Sequence, residues 1–168
     1  MNLFSDSLQE PPKYWRFNME KNHRKLQEKL SMLHVKKMME KVDGINLLAI
    51  SNELPNNSEW ILKIEDKNIC TKDPKFKFPY KISKEDLAKN LNFISSPKKE
   101  FLTIYYDYIP IYIHFQIINL VKFLRSYSLE RKSLDITLFC LNEQEVIDIH
   151  TEENDIEVRL FKIPIAET

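Results

Sequence analysis

The sequence predicts an α+β fold: an antiparallel or mixed β-sheet with a C-terminal three-strand meander and helices packed mainly on one face. Three observations carry this expectation. Leu26, Leu30, Leu33 and Met38 recur near helical spacing, with lysines between them, which predicts one long helix over 18–42. Leu134 to Leu141, Val146 to Thr151 and Ile156 to Ile163 are strand-like runs separated by the short polar turns Asn142-Glu143-Gln144 and Glu153-Asn154-Asp155. Antiparallel hairpins are the shortest way to connect such runs. Between these two regions, segments of strand and helix character alternate, the order expected of helices laid on a sheet.

Taken in order, residues 1–17 contain Pro11-Pro12 and the rings of Tyr14, Trp15 and Phe17, the pattern of an irregular N-terminal arm pinned by aromatic packing. The long helix ends at Gly44, the residue type best suited to terminate it. Ile45 to Leu54 carries two patterns. Ile45, Leu48 and Ala49 fit a short second helix capped by Asp43, whereas Leu47-Leu48-Ala49-Ile50 fits a buried strand; the helix is the preferred reading. After the turn cluster Pro55-Asn56-Asn57-Ser58, alternation of Trp60, Leu62 and Ile64 with Lys63 and Glu65 predicts a first strand over 59–66. Asn68 to Tyr80, with Pro74, Pro79 and the alternating Lys75-Phe76-Lys77-Phe78, reads as a loop or a sheet edge.

Ser83-Lys84-Glu85-Asp86 has the form of a helix start, Leu87, Leu91 and Ile94 supply its apolar stripe, and Pro97 lies beyond its end. Phe101 to Tyr108 reads as a strand, continued or bent at Pro110 into Ile111 to Phe115. Ile117, Leu120, Val121 and Leu124 then return to helical spacing over 116–127. The chain is expected to form one domain, 1–168, with the sheet-containing body over 59–163.

Composition narrows the function classes. With 43% hydrophobic and 11% aromatic residues the chain has the apolar area to fold without metals or disulfides. Cys70 and Cys140 are distant and unaccompanied, which fits small buried hydrophobes in a reducing compartment. The first residues lack a secretory pattern, and the apolar stretch from Tyr108 to Val121 is interrupted by Pro110, His114, Gln116 and Asn119, so a cytoplasmic protein with no membrane span is expected. Gly44 is the only glycine, which excludes the glycine-rich phosphate-binding loops and with them the nucleotide cofactors that use them; no cofactor is expected.

Imidazole serves both proton transfer and metal binding, so the histidines are the first candidates for catalysis. His23 and His34 sit on a lysine-rich helix without metal-ligand spacing. Asp148, His150 and Glu152 share one strand face by period-two alternation, and Asp107 stands near His114 in sequence, but neither set has a second ligand pair or a nucleophile. No catalytic or metal residue is assigned; a small enzyme using His150 and Asp148 is the minor alternative. Direct nucleic-acid binding is not expected either, because the lysines of the first helix are spread around it and mixed with Glu20, Glu28 and Glu40.

Charge is unevenly placed although the formal net charge is zero. Residues 1–84 hold 16 Lys and Arg against 11 acids, and residues 85–168 hold 9 against 14. From Ser133 to Val158 there is no Lys or Arg, while Asp135, Glu143, Glu145, Asp148, Glu152, Glu153, Asp155 and Glu157 contribute eight acids. If hairpin geometry gathers these turns and strand faces, they sum to a negative field suited to a cationic protein surface. Protection of sheet faces and edges against aggregation is the competing explanation. Tyr105, Tyr106, Tyr108 and Tyr112 add the ring type enriched at interfaces, though alternation must bury some of them. The expected partner-binding residues are Glu143, Glu145, Asp148, Glu152, Glu153, Asp155, Glu157, Tyr105, Tyr108 and Tyr112.

In strand order and style, Phe101 to Tyr108, Ile111 to Phe115, Leu134 to Phe139 and Val146 to His150 together resemble the small immunity proteins paired with bacterial contact-dependent growth-inhibition toxins. The resemblance covers roughly 59–163 and has no diagnostic motif. It implies a cytoplasmic, non-enzymatic protein that neutralises a toxin domain, often a nuclease, by tight binding, with a basic toxin surface facing the acidic meander. Oligomeric state is left open by the sequence.

Overall fold

A computed structural model of the chain describes residues 13–65, 73–96 and 98–162. Its elements are α1 (Lys13–Met39), β1 (Ile45–Ser51), α2 (Leu62–Glu65), β2 (Phe76–Pro79), α3 (Lys84–Asn90), β3 (Phe101–Tyr106), β4 (Pro110–Ile117), α4 (Leu120–Arg131), β5 (Ile136–Cys140), β6 (Glu145–Thr151) and β7 (Asp155–Lys162). The strands form one sheet in the order β1-β4-β3-β5-β6-β7-β2, and every neighbouring pair is antiparallel. The α+β class and the C-terminal meander are as the sequence predicts.

Period-two alternation divides the strand side chains between two apolar clusters. Phe101, Ile111, Ile113, Phe115, Ile136, Leu138, Ile147, Ile149, Ile156 and Val158 face a core closed by α1, α3 and α4 through Val35, Met38, Leu87, Leu91, Leu120, Phe123 and Leu124. On the other face Leu102, Tyr112, Phe139 and Val146 meet Ile61 and Ile64 from the α2 segment, with Leu54 and Trp60 beside them. The larger helices therefore share one face, and a short plug covers part of the other. Local signals set the helix ends: Ser83 caps α3 by accepting the Asp86 N–H, and Asn119 caps α4 by accepting the Lys122 N–H.

Several boundaries and two element types differ from the sequence reading. Helix α1 starts at Lys13 and ends at Met39, so residues 13–17 of the expected arm are helical; residues 1–12 lie outside the described residues. Of the expected stripe Met38 is buried while Leu26, Leu30 and Leu33 remain about half exposed, and Val35 and Met39 anchor α1 beside Met38. The preferred helix over 45–54 is the strand β1. It pairs with β4 from Ile45↔Ile117 to Ser51↔Tyr112 across a bulge at Leu47/Ala49. Leu47 and Leu48 stay exposed, so the run is an edge strand held by ladder bonds and not by an apolar helix face.

The expected strand over 59–66 is a turn leading into α2, with Asp66 outside the described residues. Ile61 and Ile64 are buried and Leu62 is exposed, a spacing of three, and Ile61 and Ile64 donate to Ser58 and Ile61 carbonyls. Phe76–Pro79 of the Lys-Phe run is an edge strand paired with β7, consistent with the loop-or-edge reading; 68–72 fall outside the described residues. Phe101 to Phe115 is a hairpin with a turn before Pro110 and not one bent strand, and α4 begins four residues later than expected and runs to Arg131.

Gly44 joins α1 to the sheet at φ +78°, and its carbonyl accepts the N–H groups of Ile118 and Asn119, both at 2.9 Å. A Cβ there would stand 2.3 Å from the Asn119 carbonyl oxygen and 2.7 Å from the Phe123 nitrogen. Backbone atoms at that distance cannot yield cheaply. We expect Gly44→Ala to cost at least about 1–3 kcal/mol from strain alone, read as a lower urea midpoint with an unchanged slope.

Candidate functional site

Antiparallel pairing places consecutive turns of a meander at opposite ends of its strands. β6 has seven residues, which separates the Glu143 turn from the Glu153 turn by about 20 Å. The acids expected to form one surface therefore divide into two groups. At one end Glu143 and Glu145 flank the Lys99 ammonium at 2.9 and 3.7 Å. The bond to Lys99 holds the Glu143 carboxyl below its usual range.

The strand faces between these ends are also less acidic than the sequence implies. Asp148, Glu157 and Arg159 are all buried on the face opposite the three larger helices. The Arg159 guanidinium lies 3.3 Å from Asp148 Oδ2 and 2.5 Å from Glu157 Oε2. Thr137 Oγ1 donates to Asp148 at 2.8 Å, and Lys77 on β2 reaches Glu157 at 2.5 Å. The hydrogen bond to Lys77 keeps the Glu157 carboxyl below its usual range. Asp148 and Glu157 thus form a cross-strand charge row from β5 to β2, with their carboxylates already engaged within the sheet. Tyr112 is buried as well, and Tyr105 is half-buried beneath the Arg131 guanidinium, 4.5 Å above its ring.

The remaining expected residues lie at the other end of the sheet. Glu152 and Glu153 are exposed in the β6–β7 turn, and Asp155 begins β7 beside them. The β3–β4 turn, with exposed Tyr106, Asp107 and Tyr108, ends at the same side, as does Asp135 before β5. Polar contacts tie these parts together. Asp135 Oδ1 accepts the Thr151 N–H at 2.7 Å and stands 3.5 Å from His150 Nδ1, while His150 Nε2 lies 3.5 Å from Glu152. Across the opening, His34 Nδ1 is 3.8 Å from Asp107, and its ring meets Tyr105 edge-on. Arg131 and Lys132 stand on the helix side of this rim, the acids on its turns.

Inside the rim lies a cleft of about 670 Å³ between β3 and β5. Met38, Tyr105, Tyr127 and Ile136 line it towards the helices; Ile104, Thr137, Asp148 and His150 line it towards the opposite face. Its size is that of a ligand or peptide site, and it combines apolar walls with a few polar groups. Sequence reading missed Asp135, Tyr106, Asp107, His34 and Arg131 as members of one rim. The one available signal was that strand ends and turns at like positions in an antiparallel meander face the same way.

Neither of the histidine–aspartate pairs considered from the sequence, His114 with Asp107 and His150 with Asp148, forms. His114 pairs with Glu100 at 3.0 Å and not with Asp107, which reaches His34. The Asp148 carboxylate is engaged by Thr137 and Arg159, away from a base-orienting role at His150. Among the described residues no group of three His, Cys, Asp or Glu side chains is arranged to hold a metal ion. Cys140 is buried in the helix-side core, and burial pushes its thiol up; Cys70 lies outside the described residues. Among the described residues no helix is long and apolar enough to cross a membrane.

What the fold and rim define is an antiparallel α+β protein with a cleft opening at one end of its sheet. The chain matches no protein-family model, no curated protein and no solved structure.

Two outcomes follow from the charge row. Arg159→Leu leaves Asp148 buried without its cation, and we expect a loss of about 3 kcal/mol or more in denaturant unfolding. Because the folded Glu157 carboxyl lies below its ordinary 4.5, its contribution is present above that value and is lost as pH falls through the depressed folded value. Glu157→Gln should therefore flatten the stability profile below pH 4.5, measured by urea midpoints across acid pH.

Proposed function

We propose that this chain is a non-enzymatic, cytoplasmic protein-binding module whose partner presents a cationic surface, and that it neutralises a basic toxin domain as an immunity protein does. The observation that carries this reading is the rim at the open end of the sheet. There Asp107 stands between the exposed Tyr106 and Tyr108 in the β3–β4 turn, and Asp135, Glu152 and Glu153 lie across the cleft at the same end of the sheet. Carboxylates on turns keep their solvation until a partner arrives, and they steer a cation-bearing surface inward. Tyrosine rings supply large, amphipathic contact area at low entropic cost. Nuclease domains carry basic substrate clefts, so a surface of this kind would compete for the same charge.

The contact surface in this proposal is smaller than the sequence implies. Glu152, Glu153, Asp155, Tyr105 and Tyr108 belong to it. Glu143 and Glu145, held by Lys99 at the far end, do not. Asp148, Glu157 and Tyr112 support the sheet from within.

The test uses the product of the adjoining gene as the partner, with association followed across a salt series. The expected on-rate falls steeply with salt, and Glu152→Lys combined with Glu153→Lys slows association about tenfold or more at low salt. Glu143→Lys, at the other end, should change it far less. Equal effects at both ends, or an on-rate indifferent to salt and to the double reversal, would remove the rim from the interface.

A further inference from the structure

The cleft is also a break in the sheet. β3 and β5 pair only through Phe101↔Cys140 and Leu102↔Phe139, although β3 runs on to Tyr106 and β5 begins at Ile136. Continuing that register would set Ile104 opposite Thr137, and this pair is not formed.

The direction of the backbone groups follows from the bonds that are made. The Leu141 N–H donates to the Glu100 carbonyl, and in an antiparallel ladder alternate residues point to the same neighbour. Even-numbered residues of β3 therefore face β5, and odd-numbered residues of β5 face β3. The Asp107 N–H directed at Ile109 and the Thr151 N–H directed at Asp135 agree with this parity on β3 and β6. Ile104 and Thr137 consequently turn their N–H and C=O groups into the cleft. Each strand is already paired on its other side, to β4 and to β6.

We infer that the cleft receives an extended segment of the partner protein as an inserted strand between β3 and β5, with alternating apolar and basic side chains. The inference rests on the protein-binding reading above and specifies how such a partner is held. Strand addition supplies main-chain hydrogen bonds for affinity, and the two faces of the inserted strand supply specificity. Side chains directed to the helices meet Met38, Tyr127, Ile136 and Ile149, an apolar wall. Those directed to the opposite face meet Thr137 and His150, with the Asp135 and Glu152 carboxylates at the lip. Carboxylates on that side select Lys or Arg at alternate positions.

The probe is a capped hexapeptide alternating Ile and Lys, added to the full chain and followed by amide NMR and hydrogen exchange. The expected result is saturable binding that slows exchange at the Ile104 and Thr137 amides at least tenfold. A peptide alternating Ile and Glu should bind at least tenfold more weakly. Ile104→Pro, which removes a cleft-facing N–H without touching the β4 ladder, should weaken the Ile-Lys peptide at least tenfold.

The wild-type exchange measurement stands if that variant fails to fold. Absence of binding, protection confined to the outer edges β1 and β2, or equal affinity for the acidic peptide would overturn the inference. Absence of binding, or protection confined to the outer edges, leaves the rim to the salt series, which tests it separately. Conversely, peptide insertion with an on-rate indifferent to rim charge would retain the inserted strand and remove the electrostatic part of the reading.

Discussion

Everything in this structure depends on the short junction between β3 and β5. Two residue pairs join the β1-β4-β3 half of the sheet to the β5-β6-β7-β2 half. So few ladder bonds would hold two halves poorly, and side-chain packing on both faces completes the join. Phe101 and Cys140 lie fully buried in the helix-side core, and Leu102 and Phe139 are buried beneath the α2 plug, where Trp60 meets the Phe139 ring edge-on at 6.1 Å. Where that packing ends, past Leu102, the strands part and the cleft begins. The same local economy of pairing that weakens the sheet creates its open site.

Charge on the face opposite the three larger helices follows the same logic of position. A carboxylate buried on a strand needs a cation on a neighbouring strand, and the β6–β7 register delivers Arg159 directly across from Asp148. β2 then adds Lys77 opposite Glu157. Two of the eight acids of the meander are consumed in this way, and Lys99 holds two more, Glu143 and Glu145. The remaining acids, Asp135, Glu152, Glu153 and Asp155, sit in turns or at strand ends, where solvation is cheap.

The binding reading and the cleft therefore share a physical basis. A turn can hold an unneutralised acid; a strand whose neighbour has departed can hold a backbone group directed at a third strand. Both features occur at the same end of the sheet, around Asp135, which links the β6 backbone to His150 through one carboxylate.

The sequence by itself determined the α+β class, the long first helix, the Ser83 helix start and the three strands of the meander. These are decided by periodicity and local capping, which act over a few residues. It also located the tyrosines and the acid-rich region. Tertiary structure decided the rest. Ile45–Ser51 is a strand because β4 offers it a ladder, and 59–65 turns into α2 because Ile61 and Ile64 plug the sheet, neither of which local spacing expresses. Separating the acids into a neutralised strand row, a Lys99-bound turn and an exposed rim required knowing which residues face each other across strands. Lys77 and Lys99 lie far from the acidic stretch in the chain and beside it only in space, and Arg159, which directly follows that stretch, meets Asp148 only across the β6–β7 ladder. The cleft had no sequence signal at all, because it consists of a pairing that stops, and where a strand parts from its neighbour is set by the packing of the whole sheet.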